Sequence, residues 1–217
     1  MEMKLDVTMS IVAAFRRAGQ RNRSLHESWV KVSFRAGTVL PQSQLSMSIQ
    51  RAGELDLVLR CMEDDHAEAM QLEKDTPELF LFHYQLLLSE LWIGSVYEIL
   101  RLVKEHSGPL CDSDVAALAH DLRLLRIPLE KHQIAQDRIL TEPLRMQRFP
   151  PNGNETDIFE YSKTDPKRSH IMPIGLSPRG SCMWQVIDLA ANSSFWIERR
   201  EISERILKLW DTELAAT

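Results

Sequence analysis

Apolar residues at Val7, Ile11, Phe15 and Ala18 recur every three or four positions, the interval that keeps side chains on one face of a helix. Gly19 is where that helix is expected to stop. From Trp29 the interval shortens to two. Val30, Val32, Phe34 and Ala36 alternate with Lys31, Ser33 and Arg35, which predicts a half-buried strand. Beyond Pro41 the helical interval returns from Ser43 to Met70, carried by Leu45, Ile49, Leu55, Val58, Leu59 and Met62, with Gly53 weakening its middle.

The centre of the chain is the segment from Pro77 to Glu105, with proline suited to the first helical turn and Gly108-Pro109 ending it. Phe82, Leu86, Leu91, Trp92, Val96, Ile99, Leu100 and Val103 are among the apolar residues that cover nearly its whole circumference, as expected of a helix inside a bundle. Only a narrow polar stripe remains: Glu90, Gly94, Glu98, Arg101 and Glu105. Val115, Leu118, Leu122 and Leu125 then mark a further helix, capped by Asp112 or Ser113. Proline disfavours helical geometry at the residue before it, so a break is expected at Arg126-Ile127, with a new helix from Pro128 to about Thr141.

After Leu144 prolines and glycines recur at turn spacing, and Phe149 to Asn154 reads as a loop. A hairpin is expected between His170–Ile174 and Cys182–Leu189. A last helix, Ile197 to Leu209, turns Ile202, Ile206 and Leu209 inward and Arg199, Arg200, Glu201, Glu204, Arg205 and Lys208 outward. Trp184, Trp196 and Trp210 are expected to bury. The fold class is therefore mainly α. A helical bundle core with a basic N-terminal segment occupies 1–143, and a loop-rich β element and C-terminal helix, 144–217, pack on the same core.

Charge adds an asymmetry. Between Arg16 and Arg35 six basic residues face the single acid Glu27, about +5, whereas the formal charge of the chain is −5, leaving about −10 elsewhere. A basic end of this kind can attract an anion, and Arg16, Arg17, Arg21 and Arg23 are its candidate RNA contacts. Arg145 and Arg148, interleaved with Phe149, Phe159, Tyr161 and His170, form a second candidate surface for a single strand. Three scattered cysteines, Cys61, Cys111 and Cys182, make no disulfide framework. No leader pattern or membrane span is legible, so a cytoplasmic protein is expected.

The chemistry centres on Arg126-Ile-Pro-Leu-Glu-Lys-His132. Cleaving RNA with its own 2′-hydroxyl needs proton transfer and a positive charge at the phosphate; histidine and arginine supply these without a metal. Arginine, four to six residues, then histidine, late in a helical bundle, resembles the signature of HEPN-type ribonucleases. Tyr97-Glu98-Ile99-Leu100-Arg101 is similar to the bundle partner of that motif, and the likeness spans about Leu79 to Leu140. It departs from the pattern at Ile127-Pro128, where a polar residue often stands. What the resemblance implies is a metal-independent endoribonuclease whose site two copies form across a homodimer, restrained in some systems by an antitoxin. Arg126 would grip the phosphate and His132 exchange the proton, with Tyr97, Glu98 and Arg101 orienting them.

Other constellations are weaker. His120-Asp121, with His83, His106 and Asp137, could be read as a phosphohydrolase metal site, although neighbours on a helix point about 100° apart. Glu63-Asp64-Asp65-His66 with Glu68 reads as a solvated helix face. No glycine-rich phosphate loop, nucleophile elbow or dinucleotide fingerprint is present, and no cofactor or metal is expected. The alternative function is a non-enzymatic interaction or regulatory protein that docks a partner through its basic N-terminal segment and C-terminal helix.

Overall fold

Residues 6–39, 44–71, 79–107, 113–148 and 157–211 are described by the structure, a computed structural model. Their helices are α1 (Val7–Arg21), α2 (Arg23–Val39), α3 (Leu45–Gln71), α4 (Leu79–Ser107), α5 (Ser113–Lys131) and α6 (Arg199–Asp211). The strands are β1 (Leu144–Arg148), β2 (Asp157–Tyr161), β3 (Ile174–Leu176), β4 (Cys182–Asp188) and β5 (Ser193–Glu198). The protein is mainly α, as its spacing predicts. Pro77, Gly108-Pro109, Asp112 and the loop from Phe149 to Asn154, all given roles above, lie outside the described residues.

The expected strand at Val30–Ala36 is instead the middle of α2. Trp29, Val32 and Ala36 are buried and Phe34 is exposed, so burial follows a three-to-four-residue interval that β-branched residues had disguised as alternation. Gly19 does not stop α1; the helix continues to Arg21, where the amide of Asn22 closes it by donating to Ala18 O.

α3 is the axis on which the bundle is built. It runs antiparallel to α2: Trp29 Nε1 donates to Asp56 Oδ2 at 2.9 Å, and Gln50 Nε2 to Ser33 Oγ at 3.1 Å. Gly53 has a reason to be glycine, because a Cβ there would lie 2.6 Å from Trp29 Cγ. α4 packs antiparallel on the other side of α3, with Trp92 Nε1 donating 2.9 Å to Ala52 O. Trp92, Ile93, Leu100, Leu59, Leu118 and Leu122 are fully buried in the resulting core.

Pro128 does not break the chain. It sits inside α5, which continues to Lys131. Only the proline's own amide bond is lost, and so close to the end a proline costs little of the ladder. The helix expected to reach Thr141 therefore ends ten residues earlier, followed by a short 3-10 turn, Asp137–Ile139. His132, at φ 53°, takes the left-handed conformation that closes α5, its amide donating 3.0 Å to Pro128 O.

The β region has two antiparallel sheets, β1-β2 and β3-β4-β5. A hairpin forms here as expected but shifted: its first strand is Ile174–Leu176, not His170–Ile174, and β3 pairs with β4 in the register Ile174 to Trp184 and Leu176 to Cys182. On β4, Cys182, Trp184, Val186 and Asp188 face the bundle, and the alternate residues face outward. β1, β2 and β5 were not expected. Trp184 and Trp210 are buried, but Trp196 is 44% exposed. Gly180, at φ +71°, carries the β3–β4 turn against α3 so closely that a Cβ would lie 2.0 Å from Glu63 O.

Candidate functional site

α4 and α5 run antiparallel, and the polar stripe of α4 lies along α5. Arg126 is held on this seam. Its Nε and Nη2 reach the two oxygens of Glu130 at 3.0 and 2.9 Å, Nη2 approaches Glu98 at 3.4 Å, and the guanidinium lies 4.8 Å from the Tyr97 ring centre. Arg101 is turned along its own helix, bonding Glu98 at 2.8 Å and Glu105 at 2.6 Å. A guanidinium forked onto a carboxylate has its charge balanced and its donors aligned away from solvent phosphate.

His132 lies beyond the end of α5 with its side chain exposed. The unbroken helix decides the geometry. Six residues correspond to about 9 Å along the axis and about 120° around it, so the two side chains diverge. His132 faces the neighbourhood of Glu90 instead. Burial raises the pKa of Glu90, opposed in part by the positive potential of His132 and His83. The backbone of His132 is engaged as well: its carbonyl accepts 2.8 Å from the amide of His170, tying the end of α5 to the β region. Arg126 and His132 line neither the groove beside β4 and β5 nor the one between α5 and α6.

The candidate RNA contacts separate too. Arg21 pairs with Asp65 at 3.0 Å and Asp64 at 3.7 Å, and Arg23 with Glu27 at 3.3 Å. The basic N-terminal segment is thus partly neutralised by the acidic run of α3. Arg16 and Arg17 are exposed, Arg145 is exposed on β1, and Arg148 ends that strand. Farther along, Arg168 bonds Asp137 at 2.7 Å and Arg179 bonds Glu198 at 2.5 Å, so these two cations also have carboxylate partners.

His120 and Asp121 point apart, as helix geometry requires. His120 Nε2 lies 2.7 Å from Asp188 Oδ2, and Asp121 accepts from Arg205 at 2.6 Å. Burial would raise the pKa of Asp188, but His120 and the amides of Ala191 and Ala190 outweigh it and hold the carboxyl low. Among the described residues no group of three or more His, Cys, Asp or Glu side chains is placed to hold a metal.

The expectation of a solvated acidic run and an outward Arg199 is overturned at one place. Arg199 is fully buried, donating from Nε to Glu63 at 2.6 Å and from Nη1 to Asp56 at 2.5 Å, with its guanidinium 5.1 Å from the Trp92 ring centre. Glu63 also accepts 2.7 Å from Ser181 Oγ, and Asp56 accepts from Trp29. Arg60 joins through Asp56 at 3.6 Å and Ser203 at 3.0 Å. Burial alone would raise the pKa of Asp56; Arg199, Arg60 and the Trp29 bond reverse that and hold it below the usual carboxylate range. A signal was present, since Asp56, Arg60 and Glu63 share the three-to-four-residue interval of buried Ile49, Ala52 and Leu59.

A groove of about 620 Å³ opens between the two sheets. Its floor is the outward face of β4 and β5, where Ile187 stands opposite Ser194. Met146 and Phe159 of the β1-β2 hairpin form one wall, and Ile171 to Pro173 another. Its polar lining is Gln147, Ser169, His170, Gln185 and Ser194. Of its lining, only Phe159 and His170 were marked by the sequence, because the groove joins residues from both sheets and the loop between them.

No helix of the described residues is long and apolar enough to cross a membrane. No protein-family model, curated protein or solved structure matches this chain.

Proposed function

We propose that this chain is a non-enzymatic helical interaction protein that assembles with a second copy of itself through α1. The observation that carries this reading is the state of α1. Val7, Ile11 and Phe15 are 72%, 54% and 38% exposed along one face, Val12 flanks it exposed, and only Ala18 of the helix is buried. An apolar face of this extent on an ordered helix marks a docking surface.

Charge selects the occupant. An antiparallel copy centred on Ile11 would place Val7 over Phe15 of the partner subunit, and Asp6 beside Arg16 and Arg17 of the partner subunit. Such a contact is self-complementary about a two-fold axis. One helix pair is small beside the roughly 800 Å² per partner of standard interfaces, so assembly is expected to depend on concentration. Sedimentation equilibrium should show a monomer–dimer equilibrium, and Ile11→Glu with Phe15→Glu should hold the chain monomeric with unchanged helix content. A native chain that stays monomeric at high concentration removes the reading.

The competing reading is a HEPN-like, metal-independent ribonuclease acting through Arg126 and His132, and the convergence of Arg126 with Tyr97 and Glu98 favours it. It requires the guanidinium to leave two carboxylates and His132 to swing across the helix end. Cutting of single-stranded RNA in EDTA, lost in His132→Ala, would establish it over the first.

A further inference from the structure

The groove between the sheets combines three properties that together define a ligand. First, its polar side chains are unused. Gln147, Ser169, His170, Gln185 and Ser194 make no side-chain hydrogen bond among the described residues, although His170 is only 4% exposed. Its ring nitrogens are not sealed in the interior, so they remain free to bond a ligand in the groove. Second, among the described residues no aspartate, glutamate, lysine or arginine lines the groove. Third, the remaining lining is apolar, including the ring of Phe159 and the thioethers of Met146 and Met172.

We propose that this groove binds the uncharged base of a nucleoside or nucleotide. Carboxamides such as those of Gln147 and Gln185 present a donor and an acceptor side by side, matching the paired donor and acceptor on a base edge. The apolar walls suit the faces of a planar ring, and a volume of about 620 Å³ lies within the range of small-molecule sites. Burial lowers the pKa of His170, so at neutral pH its ring offers one donor and one acceptor without charge. With no cation among the described lining residues, a phosphate is expected to stay outside. This site does not depend on α1 or on Arg126, and stands apart from the function proposed above.

A free nucleoside and a base in a single strand share this chemistry, and one titration separates them. The full chain is titrated with adenosine, guanosine, cytidine and uridine while the side-chain amide signals of Gln147 and Gln185 are followed by nitrogen–proton NMR. At least one nucleoside should give saturable shifts at both amides, and its 5′-monophosphate should bind about equally. Gln185→Ala should weaken binding roughly fivefold through loss of one neutral hydrogen bond. Ile187→Arg should abolish it by placing a charge on the floor, while the rest of the spectrum stays native. Tighter binding of a short oligoribonucleotide of the same base, through the same signals, assigns the ligand to a single strand; equal binding assigns it to the free nucleoside. No saturable shift with any of the four, or an affinity unmoved by both variants, overturns the proposal.

Discussion

Helix α1 and the junction of α3 with α6 invert each other. On α1, Val7 and Ile11 stand mostly in solvent, whereas Arg199 at the start of α6 is completely buried between Asp56 and Glu63 of α3. Residue type alone would assign the opposite to both. The difference lies in what each helix meets. α3 has α2, α4 and α6 around it, and a charge buried there has two opposite charges and an aromatic face as partners. α1 packs on α3 toward its C-terminal end, where Arg21 reaches Asp65, and no described element covers its first turns. Burial follows available partners more closely than hydropathy.

The largest effect should come from removing the central charge of that contrast. Arg199→Ala would leave Asp56 and Glu63 buried without their counter-ion, a loss of about 3–5 kcal/mol. Urea unfolding followed by circular dichroism measures it, and a loss under 1 kcal/mol would mean that water reaches these carboxylates. Gly180→Ala comes next. It combines an unfavourable positive φ with a clash against the backbone of α3, and should cost about 1–3 kcal/mol by the same measurement.

Acid should act on the buried side of the contrast before the exposed one. The carboxyls of Asp56, Glu198 and Asp188 are all held below their ordinary values. Groups depressed in the folded state stabilise it above their unfolded pKa, about 4, and that contribution drains away as pH falls through the folded values. Thermal melting should therefore be steady near neutrality and drop steeply below about pH 4; a melting temperature flat to pH 3 would contradict the network. The smallest effect belongs to the α4–α5 seam. Arg126→Ala removes a partly exposed ion pair and a ring contact, and should change stability by about 1 kcal/mol or less.

Much of the helical framework is legible from spacing. α3, α4 and α6 fall within two residues of where apolar periodicity puts them, because each buries a broad face and a long period resists ambiguity. α2 was misread over eight residues, a window too short to separate an interval of two from one of 3.6 when valines occupy both. Pro128 misled for a different reason. Its penalty is local and falls near a helix end, where packing of Leu124, Leu125 and Pro128 itself against the bundle outweighs it. The candidate site suffered from that single turn. With α5 unbroken, Arg126 meets Glu98 and Glu130, and His132 becomes the residue that closes the helix.

The order of amphipathic segments in the chain already dictated a mainly α protein, since apolar residues recurring every three or four positions form helix faces that packing must hide. Which charges lie inside was settled in three dimensions. Arg199 and Glu63 are 136 residues apart, and each is tolerable in the core only because the other is there. The groove between the sheets is of the same kind, assembled from Gln147, His170 and Gln185 by strand register and by the tether from His170 to the end of α5. Local periodicity reports what a segment must hide; only the assembled neighbours determine what it can hide it against.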